Sequence, residues 1–188
     1  MTAFPARPRR AATRVPPGSR AEIGAVNTVI AGVARLVTGT RQPPRVFTTL
    51  ARHRRLFRAW LRFAGRLMPG GTLPRVDTEL VILRASLDCG SDYEWGHHTV
   101  IGRRVGLTDA QIARVADGPD APGWTDHERA LLRAVDELVR DHVISDATWA
   151  QLRARYDERR LIELCMLAGH YVMLAGTLNS LGVQPEAG

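Results

Sequence analysis

The sequence predicts an all-α protein, and three observations lead to that fold class. Apolar residues recur at three- and four-residue steps, as Phe57, Trp60, Leu61 and Ala64 do. Helix-capping residues and helix-breaking glycines and prolines separate these periodic stretches. The chain also has no alternating apolar and polar run long enough for a strand. We therefore predict a bundle of about seven to eight helices.

The first two helices are predicted at residues 21–37 and 45–68. Gly39 and the two prolines at 43–44 separate them, because proline and glycine end helices. The second helix carries arginines on the face opposite its apolar residues, and residues 69–71, Pro-Gly-Gly, stop it.

Capping residues delimit the later helices. Ser91 and Ser145 are suited to N-caps, and Thr108 and Thr125 are each followed three residues later by the Gln or Glu of a capping box. Gly90 and Gly106 are suited to helix ends. The predicted helices span residues 75–88, 92–105, 109–116, 126–142, 146–155 and 157–181.

Residues 1–20 are predicted to be a disordered, Arg/Pro-rich tail, and residues 21–44 an N-terminal helix and linker. The tail contains no acidic residue and supplies +5 of the net charge of +7, through Arg7, Arg9, Arg10, Arg14 and Arg20. Its arginines are not interleaved with aromatic residues, and no nucleic-acid-binding motif follows, so we expect no nucleic-acid partner.

Two further features indicate the compartment. No segment reaches the ~20 apolar residues of a membrane span; residues 21–37 come nearest and contain Glu22, Asn27 and Arg35. The two cysteines, Cys89 and Cys165, show no disulfide framework. We therefore expect a cytoplasmic protein with no membrane association.

The segment with the most chemical potential contains Glu94 and His98. Their four-residue spacing places both side chains on one face of a helix, beside the aromatic residues Tyr93 and Trp95. A carboxyl and an imidazole in an apolar pocket can exchange a proton at neutral pH. Two structural interpretations remain open: Glu94 as the capping-box partner of Ser91, and His98 as a partly buried histidine paired with Glu94.

Metal binding is a further alternative for the same helix. Glu94, His97 and His98 could supply two ligands, with a third from Glu79 or His170. The sequence contains only one such i,i+4 pair and no H-E-x-x-H motif. We therefore predict no metal and no cofactor. His53, His127 and His142 are expected to be solvated.

The stretch ELVILRASLDCGSDYEWGHHTVIGRRVGLTDAQI, from Glu79 to Ile112, resembles the carboxymuconolactone decarboxylase and alkylhydroperoxidase D-like superfamily. The C-terminal run ERRLIELCMLAGHYVMLAGTLNSLGV resembles the last helix of that superfamily. The resemblance covers residues 45–184 and implies an alkylhydroperoxidase D-like helical bundle. It also implies a homo-oligomer, a trimer or hexamer, with the site between helices near a subunit interface.

The resemblance also indicates which residues of this chain match the functional positions of the superfamily. In the peroxidase branch a glutamate and a histidine flank a C-x-x-C pair; Glu79 and His98 match the two outer residues, while Ser91 and Glu94 stand where the cysteines would be. The decarboxylase branch lacks the cysteines and has a glutamate four residues before its histidine, as Glu94 and His98 are. In the last helix, His170 or Tyr171 would reach the site.

We therefore expect a cofactor-free acid–base enzyme, of lyase or isomerase type, acting on a small carbonyl or lactone-type substrate. His98 would transfer the proton, Glu94 would orient it, and Glu79 would be a relay carboxylate. Arg84 would bind a substrate carboxylate. Two alternatives are a thiol-dependent hydroperoxide reductase that uses Cys89 and a non-catalytic oligomeric binding protein.

Overall fold

A computed structural model describes residues 12–38 and 41–186 of the chain. Over these residues it contains ten helices and no strand. They are α1 (Arg20–Ile23), α2 (Ala25–Thr38), α3 (Arg45–Leu50), α4 (Arg54–Leu67), α5 (Arg75–Asp88), α6 (Asp92–Arg104), α7 (Asp109–Asp117), α8 (Asp126–Asp141), α9 (Asp146–Arg153) and α10 (Glu158–Leu181). The predicted all-α fold class is confirmed.

The count exceeds eight because each of the first two predicted helices is divided in two. Gly24 ends α1 with φ 81°, a backbone conformation that suits glycine and cannot continue a helix. Between α3 and α4, the His53 imidazole accepts a hydrogen bond from the Leu56 amide and so starts a new helix. The sequence analysis overlooked Gly24 as a helix end, and the second break, at residues 51–53, contains neither glycine nor proline.

The helices form two compact units. The first comprises residues 1–64 and 177–188, and its core is built around Ile23, Ala51 and Phe57, with Phe47 and Trp60 packed against them. The second comprises residues 65–176 and contains α5 to α9. The predicted domain boundary at residue 45 stays a prediction.

Part of the predicted N-terminal tail makes defined contacts. The amides of Arg14 and Val15 donate to the Leu181 carbonyl at 2.9 and 3.1 Å, and the Gly18 amide donates to the Thr48 carbonyl at 3.0 Å. Disorder is therefore the wrong description of residues 12–20, whose backbone groups find partners that no local pattern could reveal. Residues 1–11 of the tail, and residues 39–40 of the linker, lie outside the described residues.

In the second unit α5 is the central helix, and it packs against α6, α7 and α8. Its residues from Asp77 to Ser86 are all buried, including the charged side chains of Asp77, Glu79 and Arg84. Leu80 and Leu83 join a core cluster with residues of the following helices. Because the helix is buried all round, its polar side chains need protein partners.

Within the described residues, α10 has the length and the apolar composition of a helix that could cross a membrane. Of its most apolar stretch, 50% is buried in the protein. The sequence analysis overlooked this helix when it named residues 21–37 as the nearest candidate. A core helix of a globular protein has the same property, so the length of α10 does not indicate a span.

A carboxylate of α10 fixes the segment that leads into α5. Glu163 accepts hydrogen bonds from the amides of Thr72 and Leu73 and from the Thr72 hydroxyl, at 2.6–3.0 Å. Pro74 then begins α5. These bonds join the start of the central helix to α10, and so bring both helices to fixed positions around the site described below.

We expect Glu163→Ala to lower the free energy of unfolding by at least about 2 kcal/mol, because two backbone amides lose their acceptor. Urea denaturation measures this change. Glu158→Ala, which removes an exposed carboxylate from the same helix, should cost less than about 1 kcal/mol. Equal losses in the two variants would contradict the role given to Glu163.

Candidate active site

The site is organised around the carboxylate of Glu79 on α5, which has no solvent exposure. Its Oε2 atom lies 2.7 Å from Nδ1 of His98 on α6. Its Oε1 atom lies 3.3 Å from a guanidinium nitrogen of Arg75, one turn earlier on α5. Both oxygens of this buried carboxylate therefore have partners.

The contact with Glu79 determines the orientation of His98. An ionised carboxylate only accepts hydrogen bonds, so Nδ1 of the imidazole carries the proton and Nε2 is the nitrogen available to act as a base. Nε2 has no hydrogen-bond partner among the described residues. The Tyr171 ring packs edge-on against the imidazole, with 5.1 Å between ring centroids.

This pairing corrects one prediction. The sequence analysis expected Glu94 to orient His98 through their four-residue spacing. The structure pairs His98 with Glu79 instead, nineteen residues earlier in the chain. His98 is therefore paired through a contact between α5 and α6, and not with the residue one turn earlier on α6.

Glu94 has a different environment from Glu79. It is 3% exposed, and within the described residues neither of its carboxyl oxygens makes a hydrogen bond. Ser91 begins α6, but its hydroxyl is also buried and unpartnered there, and it makes no side-chain cap. The capping box that would give Glu94 a purely structural role is therefore absent.

These surroundings determine the charge states of the site. Burial raises the pKa of Glu94 to about 8, although the nearby Ser91 hydroxyl offsets part of that effect. Burial also raises the pKa of Tyr171 well above its ordinary value, and the carboxyls of Glu79 and Glu94 add to this. At neutral pH Glu94 and Tyr171 are therefore both protonated and able to donate hydrogen bonds.

The other aromatic and histidine residues that were predicted to bind substrate are all at least partly buried. His170 is buried with its ring 5.2 Å from that of Tyr171, and burial lowers the pKa of His170 to about 4, so it is neutral. Tyr93 is buried and its ring centroid lies 4.6 Å from that of His97. Trp95 packs against the core cluster that contains Leu80 and Leu83. Trp95 therefore belongs to the core.

Arg84 does not match its predicted role. Its guanidinium donates to both carboxylate oxygens of Asp136 on α8 and to the Val115 carbonyl, and it is nearly buried. The donors predicted to bind a substrate carboxylate are thus used to join α5 to α7 and α8. The partners lie 31 and 52 residues away, so sequence spacing could not identify them.

A second buried polar cluster was missed, because His127 was expected to be solvated. His127 Nε2 lies 3.0 Å from Asp77 Oδ2, and the Tyr156 hydroxyl donates to the same carboxylate oxygen. Burial alone would raise the pKa of Asp77, but these hydrogen bonds outweigh it and hold the pKa below its ordinary value. The cluster joins α5, α8 and the segment between α9 and α10.

The metal alternative would need at least three ligands close together in this region. In the part of the chain that the structure describes, no three His, Cys, Asp or Glu side chains are grouped closely enough to hold a metal ion. Glu79 and His98 are instead bonded to each other.

The fold and the site together define an all-α protein with a buried glutamate–histidine pair. Residues 54–137 match the Carboxymuconolactone decarboxylase family. This match, together with the structural relatives below, supports the resemblance to the carboxymuconolactone decarboxylase and alkylhydroperoxidase D-like superfamily. No curated protein matches the sequence significantly.

Several solved structures share the fold. A peroxidase-related protein from Ralstonia eutropha JMP134, described as an alkylhydroperoxidase AhpD core, has a TM-score of 0.81 at 20% identity, covering 96% of this chain and 94% of its own. A peroxidase-related protein from Silicibacter sp. TM1040 has a TM-score of 0.78 at 16% identity, covering 92% and 93%.

The debrominase Bmp8, in a cysteine-to-alanine variant in complex with 2,3,4-tribromopyrrole, has a TM-score of 0.78 at 17% identity, covering 95% of each chain. At these identities the three structures show a common fold and do not indicate a common reaction.

The raised pKa of Glu94 makes stability depend on pH. In the folded protein Glu94 ionises near pH 8 but in the unfolded chain near pH 4.5, so its stabilising contribution is complete below about pH 4.5 and is lost as pH rises to 8. The loss is at most about 1.4 kcal/mol per pH unit. Glu94→Gln removes this dependence.

We therefore expect Glu94→Gln to be more stable than the unsubstituted protein at pH 8, with the difference shrinking by up to about 4 kcal/mol toward pH 5. Urea denaturation at a series of pH values measures it. Glu158→Gln, at an exposed carboxyl, is the control and should show no such trend. A stability difference that is constant with pH would mean that Glu94 is ionised at neutral pH.

Proposed function

We propose that this protein is a cofactor-free enzyme that transfers a proton at a carbon next to a carbonyl group of a small substrate. One observation carries the proposal: the His98–Glu79 contact of 2.7 Å leaves His98 Nε2 free, on the same helix face as the unpartnered Glu94 carboxyl. This is the arrangement that a general base and a general acid require.

Each residue then has a defined part. His98 Nε2 removes the proton, and Glu79 holds the ring in position and stabilises the imidazolium that forms. Glu94 is protonated at neutral pH, so it is the group that can give a proton to an oxygen or carbon of the intermediate. Both steps serve isomerisation, elimination and lactone ring-opening by elimination. Decarboxylation would use only the proton donation, because there the bond to the departing CO₂ breaks in place of a C–H bond.

The alternatives are less well supported. The thiol alternative uses Cys89, but Ser91 and Glu94 occupy the positions that resemble the paired cysteines of the peroxidase branch. Burial raises the pKa of the other cysteine, Cys165, and so disfavours its thiolate. A protein that served only as a scaffold would have no reason to bury an unpartnered carboxyl, and Glu94 is such a carboxyl.

The remaining expectations belong to the same proposal. We expect a homo-oligomer, a trimer or hexamer, acting in the cytoplasm. The exposed apolar side chains of Ile162, Met166 and Met173 on α10 support an association between copies, since such side chains gain by leaving water.

Proton abstraction can be tested without knowing the natural substrate. The protein is incubated in D₂O with small ketones and with α-angelica lactone, a lactone whose double bond can move by proton transfer, and deuterium incorporation is followed by NMR. We expect incorporation next to the carbonyl, and a loss of about 10²–10⁴-fold in rate for His98→Ala.

The control is His53→Gln, which changes an exposed histidine of the first unit and should keep the full rate. Glu79→Gln should lower the rate less than His98→Ala and should shift its pH dependence, because the ring keeps a partner but loses the carboxylate charge. Incorporation that is absent for all probes, or equal in His98→Ala and the unsubstituted protein, would contradict the proposal.

A further inference from the structure

Three hydroxyl groups at the site have no hydrogen-bond partner within the described residues. Two belong to Ser91 and the protonated carboxyl of Glu94, which are close enough for the Ser91 hydroxyl to lower the Glu94 pKa but form no hydrogen bond of normal geometry. The third belongs to Tyr171, whose contacts are with the rings of His98 and His170. Glu94 and Ser91 are more than nine-tenths buried. Buried polar groups of a folded protein are normally bonded, so an unbonded set beside a base indicates the position of a ligand.

The groups lie on two sides of His98. Ser91 and Glu94 precede it on α6, and Tyr171 contacts its ring from α10. The nearby charged groups are Glu79 and Arg75 of α5, which are bonded to each other. The positive charge of Arg75 is thus already used by Glu79.

The protonation states define the ligand that these groups can bind. Glu94 and Tyr171 are O–H donors at neutral pH, because burial raises both of their pKa values. Two donors beside a base complement an oxygen that becomes negative when the base removes a proton, as in an enolate. A substrate carboxylate in the same place would lie near the Glu79 carboxylate, and Arg75, the described arginine beside the site, is already bonded to Glu79.

We propose that Glu94 and Tyr171 donate hydrogen bonds to the carbonyl oxygen of an uncharged, enolisable ketone, aldehyde or lactone. His98 Nε2 takes the proton from the neighbouring carbon, the C–H electrons move onto the carbonyl oxygen, and the two donors stabilise the enolate. The proton then returns from His98 to carbon. This inference rests on the proposed function and names its substrate class.

A phenolate resembles an enolate, so 4-nitrophenol tests the inference without any turnover. Below the pKa of the free phenol, binding should transfer the phenol proton to His98, leaving a phenolate between Glu94 and Tyr171. The visible absorption of nitrophenolate should therefore increase as the protein is added. Calorimetry gives the affinity independently of the colour.

Single substitutions test whether Glu94 and Tyr171 are the hydrogen-bond donors. Glu94→Ala and Tyr171→Phe should each weaken binding about 10- to 100-fold, the effect expected for a hydrogen bond to a charged group. Glu94→Gln keeps an N–H donor and should lose less. Tyr156→Phe removes a buried hydroxyl on the other cluster of α5 and should bind normally. Circular dichroism and urea denaturation confirm that each variant is folded.

Three results would overturn the inference: no binding, binding without phenolate absorption, or affinity that Glu94→Ala and Tyr171→Phe leave unchanged. None of them depends on the deuterium-exchange assay. If the protein exchanges deuterium but does not bind 4-nitrophenol, the proposed function is supported and the inference about the two donors is wrong. If the protein binds the phenolate but exchanges no deuterium, the donor site is supported and the proposed reaction is wrong.

Discussion

The site depends on keeping one carboxylate charged inside the protein. Glu79 has no solvent exposure, and an ionised group is tolerated there only because His98 and Arg75 bond its two oxygens. Removing either partner would leave one oxygen of the buried carboxylate without its hydrogen bond. The same contact fixes the tautomer of His98, and with it which nitrogen faces the ligand. The central position of α5, and the bonds of Glu163 that fix its start, serve to hold this carboxylate in place.

Glu79 and Glu94 show how environment assigns different parts to one residue type. Glu79 is paired with His98 and Arg75, whereas burial without such partners raises the pKa of Glu94 to about 8. A neutral, unpartnered carboxyl costs stability as pH rises, and nothing in the packing of the helix requires it. A cost of this kind is expected where a group is kept for binding or chemistry. The hydroxyl groups of Ser91 and Tyr171, for which the structure also shows no hydrogen bond, lie near the same histidine.

The features that the sequence predicted well are those that local contacts decide. The caps at Thr108 and Thr125 form as capping boxes, and α5 spans the predicted residues 75–88. The structure also brings together Glu79, His98 and Tyr171, three of the residues that the sequence analysis named as candidates. Their pairing was not predicted, since Glu79 and His98 meet only through the packing of α5 on α6. For the same reason the sequence misplaced Arg84 and His127, whose partners are 31 to 52 residues away.

The central claim is that Glu79 holds His98 with Nδ1 protonated and Nε2 free. ¹⁵N NMR of the histidine side chains, with His98 assigned through His98→Gln, reads the tautomer directly. We predict a neutral imidazole of His98 that carries its proton on Nδ1, and a shift of that equilibrium in Glu79→Gln. A neutral ring protonated on Nε2, or a tautomer that Glu79→Gln leaves unchanged, would contradict the account.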